Sequence, residues 1–188
     1  MSDAKAALRK TAYAARKAAF DARHETGAVA SATNWIMAEI GRPEGRTIAG
    51  YMPIRTELDP VPAMTLLSEL GARICVPVIA GAGQPLDFRQ WTPGCPLVEG
   101  PFGAQIPSRG DWLVPDTLIV PLVGFDRGCN RLGYGGGFYD RTLARLCAAA
   151  PTRAVGFAFA AQKLPDLPLE PTDHRLDAIV TEHGIRRP

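Results

Sequence analysis

The chain has 188 residues, of which 46% are hydrophobic and 21% are charged, and its net charge is +2 at pH 7. These values are typical of one globular domain over residues 1–188, and the small net charge argues against nucleic acid as a partner. The longest apolar stretch, residues 118–125, is too short to span a bilayer.

Hydrophobic periodicity and turn residues predict helices and strands that alternate after an all-helical start. In chain order we expect helices over 3–25 and 28–40, a strand over 47–52, a helix over 61–70, strands over 73–78, 86–91 and 117–123, a helix over 138–149, and strands over 154–159 and 177–181. This order predicts an α/β sandwich with a largely parallel sheet. Pro77 and Pro121 each remove a ladder donor, so their strands are expected to bulge, end early or lie at an edge.

The cysteines and the first residues bear on the cellular compartment. The four cysteines are widely spaced and form no Cys-x-x-Cys pair, which favours reduced thiols over a disulfide or zinc framework. The first residues are charged and alanine-rich and do not resemble a secretory signal. We therefore expect a cytoplasmic protein.

The most informative segment runs from residue 124 to residue 141, between a predicted buried strand and a predicted helix. Its four glycines, Gly133 and residues 135–137, allow unusual backbone dihedrals and let N–H groups converge on one point. With the positive end of the next helix, they predict an anion site, most naturally for phosphate. The loop fits neither a Walker A motif nor the dinucleotide fingerprint, since Phe138 occupies the third glycine position. The alternative is a flexible turn that binds nothing.

Charged residues flank this loop. Asp140 is expected in the first turn of the helix, where the helix dipole favours a carboxylate whatever its function. As a functional residue it would bind Mg²⁺ beside phosphates. We expect Asp140 to face the surface, so that its replacement leaves the fold intact. Arg131 and Arg141 could pair with phosphate or with Asp126.

The run Arg131-Leu-Gly-Tyr-Gly-Gly-Gly-Phe-Tyr-Asp-Arg141 resembles the signature of the 5-formyltetrahydrofolate cyclo-ligases, also called 5,10-methenyltetrahydrofolate synthetases. The similarity covers nearly the whole chain, in ordered blocks at residues 5–9, 51–59, 156–162, 167–173 and 176–182. It implies a three-layer α/β/α sandwich of the NagB/RpiA/CoA-transferase-like kind, preceded by two helices.

The resemblance also implies the reaction. It is the ATP- and Mg²⁺-dependent cyclisation of 5-formyltetrahydrofolate to 5,10-methenyltetrahydrofolate, with release of ADP and phosphate. Phosphorylation of the formyl oxygen would let N10 of the same folate attack, so the protein needs no catalytic nucleophile and instead aligns the reactants and neutralises charge. The expected partners are ATP and the folate, with no nucleic acid and no membrane, and a monomer is expected.

Three groups of residues are implied by the resemblance. For ATP they are Lys5, Arg9, Arg131, Leu132, Gly133, Tyr134, Gly135, Gly136, Gly137, Phe138 and Tyr139. For the folate they are Met52, Glu57, Tyr134, Gly135, Gly136, Gly137 and Phe138. For Mg²⁺ they are Asp140 and Asp173. The chain departs from the family pattern in two ways: Thr172 stands where many members have His, and Tyr134 and Gly136 stand where some have Arg and Lys.

Each role has a plainer alternative. Lys5 and Arg9 would form a solvated basic face, which their sequence alone favours, and Glu57 would be an exposed loop carboxylate. Asp173 would be a turn residue after Pro171, and Trp91 would belong to the core. Two rival functions also stay open: a family paralogue acting on another formamide in cofactor salvage, and a non-catalytic nucleotide-binding module.

Overall fold

The computed structural model describes residues 3–188. Its α-helices are α1 (Asp3–Asp21), α2 (Arg23–Thr26), α3 (Ala28–Ile40), α4 (Val61–Glu69) and α5 (Phe138–Ala149). Its strands are β1 (Thr47–Ala49), β2 (Arg73–Ile79), β3 (Leu86–Trp91), β4 (Leu97–Glu99), β5 (Gln105–Pro107), β6 (Thr117–Pro121), β7 (Gly124–Phe125), β8 (Arg131–Leu132), β9 (Arg153–Phe157), β10 (Ala178–Thr181) and β11 (Gly184–Arg186). Every long predicted helix and strand is therefore present.

Seven strands form the central sheet in the order β11-β10-β9-β6-β1-β2-β3. The strands from β10 to β2 run parallel, with Ile48 of β1 opposite Ile74 of β2 and Thr117 of β6. The two edge strands, β11 and β3, run antiparallel to their neighbours. The predicted α/β fold with a largely parallel sheet is confirmed.

The hydrophobic core lies on both faces of this sheet because successive strand residues point to opposite sides. On one face Ile48 packs in a cluster with Ile36 of α3 and Leu67 of α4. On the other face the next residue, Ala49, packs in a second cluster with Leu143 of α5. Helices thus cover the sheet on both sides, as parallel strands require.

The first helix, α1, contacts the first cluster only near its end, through Ala19 and Phe20, and its middle packs on a third, smaller cluster. Ala12 of α1 is fully buried against Val123, Leu132 and Leu164, which lie around the β7–β8 hairpin. This contact seats α1 beside the chain that follows β6. Within residues 3–188 no helix is both long and apolar enough to cross a membrane.

The expectation that a proline disturbs its strand is confirmed for Pro121 and wrong for Pro77, whose strand β2 continues to Ile79 inside the sheet. Pro121 is the last residue of β6, so the strand predicted to continue to residue 123 ends early. Pro77 lies inside β2, but the pairing of β2 with β1 ends at Cys75. Residues two apart in a strand point their N–H groups toward the same neighbouring strand, so an N–H at Pro77 would point toward β1, as that of Cys75 does. At this position β1 has already ended, so the proline costs the sheet no hydrogen bond.

Some short elements were not predicted. No element was predicted between the strands over 86–91 and 117–123, but this segment contains the β4–β5 hairpin, in which Leu97 pairs with Pro107. The β7–β8 hairpin and the edge strand β11 were also missed. Trp91, which ends β3, is 4% exposed and belongs to the core, which confirms its plainer assignment.

Candidate active site

A crevice forms where the sheet reverses its order of connection. After β1 the chain crosses through α4 to β2, whereas after β6 it crosses through α5 to β9, in the opposite direction along the sheet. The segments that follow β1 and β6, residues 50–60 and 122–137, therefore leave neighbouring strands at the same edge. In open α/β sheets this switch point is where ligands bind.

The glycine loop, residues 133–137, leaves β8 and enters α5 at this edge. Gly135 and Gly137 have φ of 97° and 63°, a region that residues with side chains disfavour. A Cβ at Gly136 would stand 2.7 Å from the ring of Phe138. Gly137 is the N-cap residue of α5 and supplies no side-chain cap, so the first N–H groups of that helix stay available to an anion.

A basic stripe on α1 faces this loop. Lys5, Arg9, Ala12 and Arg16 lie on one side of the helix at spacings of four, three and four residues. The Lys5 ammonium contacts Asp173 at 2.8 Å and Glu170 at 3.1 Å and is 8% exposed, so the solvated-face interpretation is wrong for it.

Arg9 lies beside the glycine loop itself. Its Nε donates a hydrogen bond to the carbonyl oxygen of Gly133 at 2.8 Å. Its Nη1 is buried and has no hydrogen-bond partner among residues 3–188. A buried guanidinium nitrogen without an acceptor is costly, and an anion bound at the loop would supply that acceptor.

Asp140, in the first turn of α5, forms an ion pair with the buried guanidinium of Arg131. Its Oδ1 also accepts the backbone N–H of His174 at 3.0 Å, and Arg131 donates to the carbonyl of His174 at 2.6 Å. The Asp140 side chain is 26% exposed and so reaches the surface as expected, but its carboxylate also joins three segments of the chain. His174 follows Asp173, so these contacts also bring the two candidate metal ligands to one place.

The two carboxylates suit Mg²⁺ held mainly by phosphate and water oxygens. Asp140 uses Oδ1 and Asp173 uses Oδ2 for their hydrogen bonds, and the second oxygen of each receives no hydrogen bond from the part of the chain described here. Mg²⁺ prefers such oxygens and commonly takes only one or two carboxylates. No group of three or more potential ligand side chains forms within residues 3–188.

On the other side of the crevice, Glu57 is held inside a turn that follows β1. Its Oε2 accepts the backbone N–H of Ile54 at 2.8 Å, and its Oε1 accepts the hydroxyl of Tyr134 from the glycine loop. Glu57 is 5% exposed, so it is not the exposed loop carboxylate of the plainer alternative. Burial raises the pKa of its carboxyl above the ordinary value, against the opposing effect of these hydrogen bonds.

The geometry thus gathers nearly all the residues singled out in the sequence, and comparison with known proteins adds the family. A family model described as the 5-formyltetrahydrofolate cyclo-ligase family matches residues 1–182. The chain belongs to that family. Its relatives are ligases, and it is an enzyme of that class.

Relatives and solved structures agree with this membership. The cyclo-ligase of Mycolicibacterium smegmatis is 36% identical over 152 residues, 75% of this chain and 76% of that one. That of Escherichia coli is 37% identical over 146 residues, 74% and 79% of the two chains. The 5,10-methenyltetrahydrofolate synthetase of Aquifex aeolicus superposes with a TM-score of 0.75 at 28% identity, over 97% of this chain and 92% of that one.

Reasoning from the sequence missed Arg16, a buried residue of this cyclo-ligase that contacts both the glycine loop and the turn of Glu57. It is 1% exposed and donates to the hydroxyl of Tyr134 at 2.6 Å and to Thr56 Oγ1 at 3.0 Å. A signal was present, because Arg16 continues the helical spacing of Lys5 and Arg9. The alanine-rich spacing of Leu8, Ala12, Ala15 and Ala19 suggests a different buried face, but of these four residues only Ala12 is fully buried.

Other residues predicted for the site contribute mainly through packing. Leu132 is buried against α1. Met52 packs on the core cluster beneath α3 and α4, and Phe138 packs on the cluster beneath α5. The hydroxyl of Tyr139 is buried without a hydrogen-bond partner among residues 3–188, and burial raises the pKa of this phenol above its ordinary value.

The substitution Tyr139→Phe is expected to raise the free energy of unfolding of the ligand-free protein by about 1 kcal/mol, since it removes an unsatisfied buried hydroxyl and keeps the ring. Urea denaturation measures this change. Tyr51→Phe is the matched control: the buried Tyr51 hydroxyl donates to the carbonyl of Leu58 at 2.5 Å, so its loss should destabilise. A decrease for Tyr139→Phe would show that its hydroxyl has a partner.

Proposed function

We propose that the chain catalyses the ATP- and Mg²⁺-dependent cyclisation of 5-formyltetrahydrofolate to 5,10-methenyltetrahydrofolate, with ADP and phosphate as the other products. One observation carries the proposal: a glycine loop at a helix N-terminus joins a cationic helix face on one side to a buried carboxylate on the other. Arg9 contacts Gly133 of this loop, and Tyr134 of the same loop contacts Glu57. Both substrates can therefore meet at one loop.

The nucleotide half of the site comprises α1 and the glycine loop. The unsatisfied Nη1 of Arg9 and the first N–H groups of α5 are the donors available to phosphate oxygens. Lys5 and Arg131 add positive charge, although each is paired with a carboxylate in the ligand-free protein. Asp140 and Asp173 would hold Mg²⁺, which supplies charge neutralisation for the phosphoryl group.

The folate half is built around Glu57. A carboxylate held in a buried turn accepts hydrogen bonds from N–H donors, which the pteridine ring offers, and its burial strengthens those bonds. Met52 and Phe138 provide apolar surface for the ring. Because Tyr134 of the glycine loop contacts Glu57, the folate is held next to the phosphates.

The reaction then needs alignment rather than a protein nucleophile. The formyl oxygen attacks the γ-phosphorus, the bond to the β-phosphate oxygen breaks, and ADP leaves. N10 attacks the carbon of the resulting iminium phosphate, the C–O bond breaks, and phosphate leaves while N10 loses its proton. Arg9 and the loop N–H groups orient the triphosphate, and Glu57 orients the folate, so that the two reacting atoms face each other.

A direct assay tests the proposal. Purified protein is mixed with Mg-ATP and 5-formyltetrahydrofolate, and the methenyl chromophore is followed together with ADP release. We expect both signals in equal amounts. ATP binding without the chromophore would favour the non-catalytic module, and ATP turnover only with a different formamide would favour the paralogue.

The expectation of a cytoplasmic monomer stays a prediction. Light scattering tests the oligomeric state, and cell fractionation tests the location.

The substitution Lys5→Ala is expected to raise the KM for ATP about tenfold, since a hydrogen bond to a charged group contributes about 1.5 kcal/mol or more. The KM for the folate should change much less, because Glu57 lies across the loop. Steady-state kinetics with each substrate varied in turn measure the two constants. Lys10→Ala, an exposed lysine on the same helix, is the control and should change neither. A larger effect on the folate would contradict the assignment of Lys5.

A further inference from the structure

Arg16 is a buried cation that lacks a direct carboxylate partner. Its side chain is among the largest fully buried ones, at 1% exposure, yet it forms no ion pair within residues 3–188. Its hydrogen bonds go to two hydroxyls, those of Tyr134 and Thr56, and its guanidinium lies over the rings of Tyr13 and Tyr134 at 5.2 and 5.6 Å. An arrangement of this kind costs desolvation energy that packing alone does not require.

Both hydrogen bonds of Arg16 lead to Glu57. Along one path the guanidinium donates to the Tyr134 hydroxyl, which in turn donates to Glu57 Oε1. Along the other path it donates to Thr56, the residue before Glu57, and so fixes the turn that carries the carboxylate. A single residue of α1 therefore fixes both the carboxylate of Glu57, through Tyr134, and the turn that carries it, through Thr56.

We propose that Arg16 is a positioning residue for folate recognition, which holds Glu57 in its binding orientation and supplies the positive charge that a buried carboxylate needs to stay ionised. This inference rests on the proposed function of Glu57 as the carboxylate that binds the folate. Arg16 itself acts through Tyr134 and Thr56 and does not touch the reacting atoms.

The charges around Glu57 support this assignment. Arg16 from α1 and Arg55 from the turn of Glu57 itself both favour the ionised form, and burial opposes them. The phenols of Tyr51, Tyr134 and Tyr139 also lie near Glu57, and burial raises the pKa of each of them. Asp59, two residues after Glu57, acts on Tyr51. Removal of Arg16 takes away one of two cations, so the pKa of Glu57 should rise further. A protonated Glu57 accepts fewer hydrogen bonds from the folate, so folate binding weakens as the pH falls through the pKa of this carboxyl. Without Arg16 that weakening should begin at a higher pH than in the wild type.

The test is equilibrium binding of 5-formyltetrahydrofolate to the full chain by calorimetry, repeated across the acidic pH range. For Arg16→Met we expect a Kd at least tenfold higher at neutral pH. As the pH is lowered, this variant should also lose binding at a higher pH than the wild type does. Arg16→Lys keeps the positive charge, so the pH at which binding is lost should return toward the wild-type value. Its Kd at neutral pH should lie between those of Arg16→Met and the wild type. Lys17→Met removes an exposed charge one residue along α1, and it should leave both unchanged.

Tyr134→Phe keeps the test decisive if Arg16→Met does not fold. Tyr134 is 38% exposed, so loss of its hydroxyl should leave the fold intact, weaken folate binding and shift the acidic limb in the same direction. Unchanged Kd and unchanged pH dependence in Arg16→Met or in Tyr134→Phe would overturn the proposal, as would a variant that loses only thermal stability. A wild type that binds the folate without turnover would instead refute the proposed reaction, and a wild type that does not bind it would refute both.

Discussion

Replacing Asp140 with alanine is expected to abolish measurable turnover and to lower the free energy of unfolding by about 3 kcal/mol, the cost of leaving a buried charge without its partner. The partner is Arg131, whose side chain is 4% exposed. The backbone N–H of His174 loses its acceptor as well. Asp140 is also one of the two proposed Mg²⁺ ligands, so its loss removes a group from the reaction itself. Urea denaturation and the methenyl assay measure the two effects.

The two effects can be separated with a second variant. Arg131→Met combined with Asp140→Ala removes both charges, so it should recover much of the lost stability without recovering turnover. Asp173→Ala should cost less stability, because Lys5 keeps Glu170 as a partner. An Asp140→Ala protein as stable as the wild type would contradict the importance of the pair with Arg131. An unchanged rate at limiting Mg²⁺ would remove Asp140 from the metal site.

The fold was predictable where a pattern runs long enough to show its period. The helix over residues 28–40 matches α3, which buries one face at helical spacing, and the strand over 86–91 matches β3, in which Leu86 and Phe88 alternate with less buried residues. The strands β7 and β8 have two residues each and carry no period. The β4–β5 hairpin is short, exposed along β4 and ends at Pro107, which is typical of a turn-rich segment.

The candidate site was predictable in its residues but not in their environment. Lys5, Glu57 and Asp140 were all named from the sequence, and Asp140 lies in the first turn of α5 as expected. The structure excludes the exposed alternatives that were given for Lys5 and Glu57. Their burial depends on contacts across the chain: Lys5 meets Asp173 at a separation of 168 residues, and Tyr134 meets Glu57 at a separation of 77. Such contacts follow from the strand order at the switch point, which local periodicity does not encode.

The substitution Gly135→Ala is expected to lower turnover about 100-fold, because displacement of the loop by about 1 Å misaligns the phosphates and the folate together. Gly135 has φ of 97°, and an alanine there strains the backbone by about 1–2 kcal/mol, which the loop relieves by moving. Since residues 134–136 of the loop are exposed, the movement should leave the core and the fold intact. Steady-state kinetics and thermal unfolding measure the two quantities.

Gly83→Ala is the matched control for backbone strain. Gly83 lies in the turn between β2 and β3, has φ of 72°, and has no neighbouring atom within 4 Å of an added Cβ. Its substitution should cost about 1 kcal/mol of stability, as a left-handed alanine does elsewhere, and should leave turnover unchanged. Because both variants bear the same kind of strain, a 100-fold loss confined to Gly135→Ala assigns the effect to the shape of the loop. Equal losses in the two variants would mean that turnover follows global stability, and the glycine loop would then have no special part in aligning the substrates.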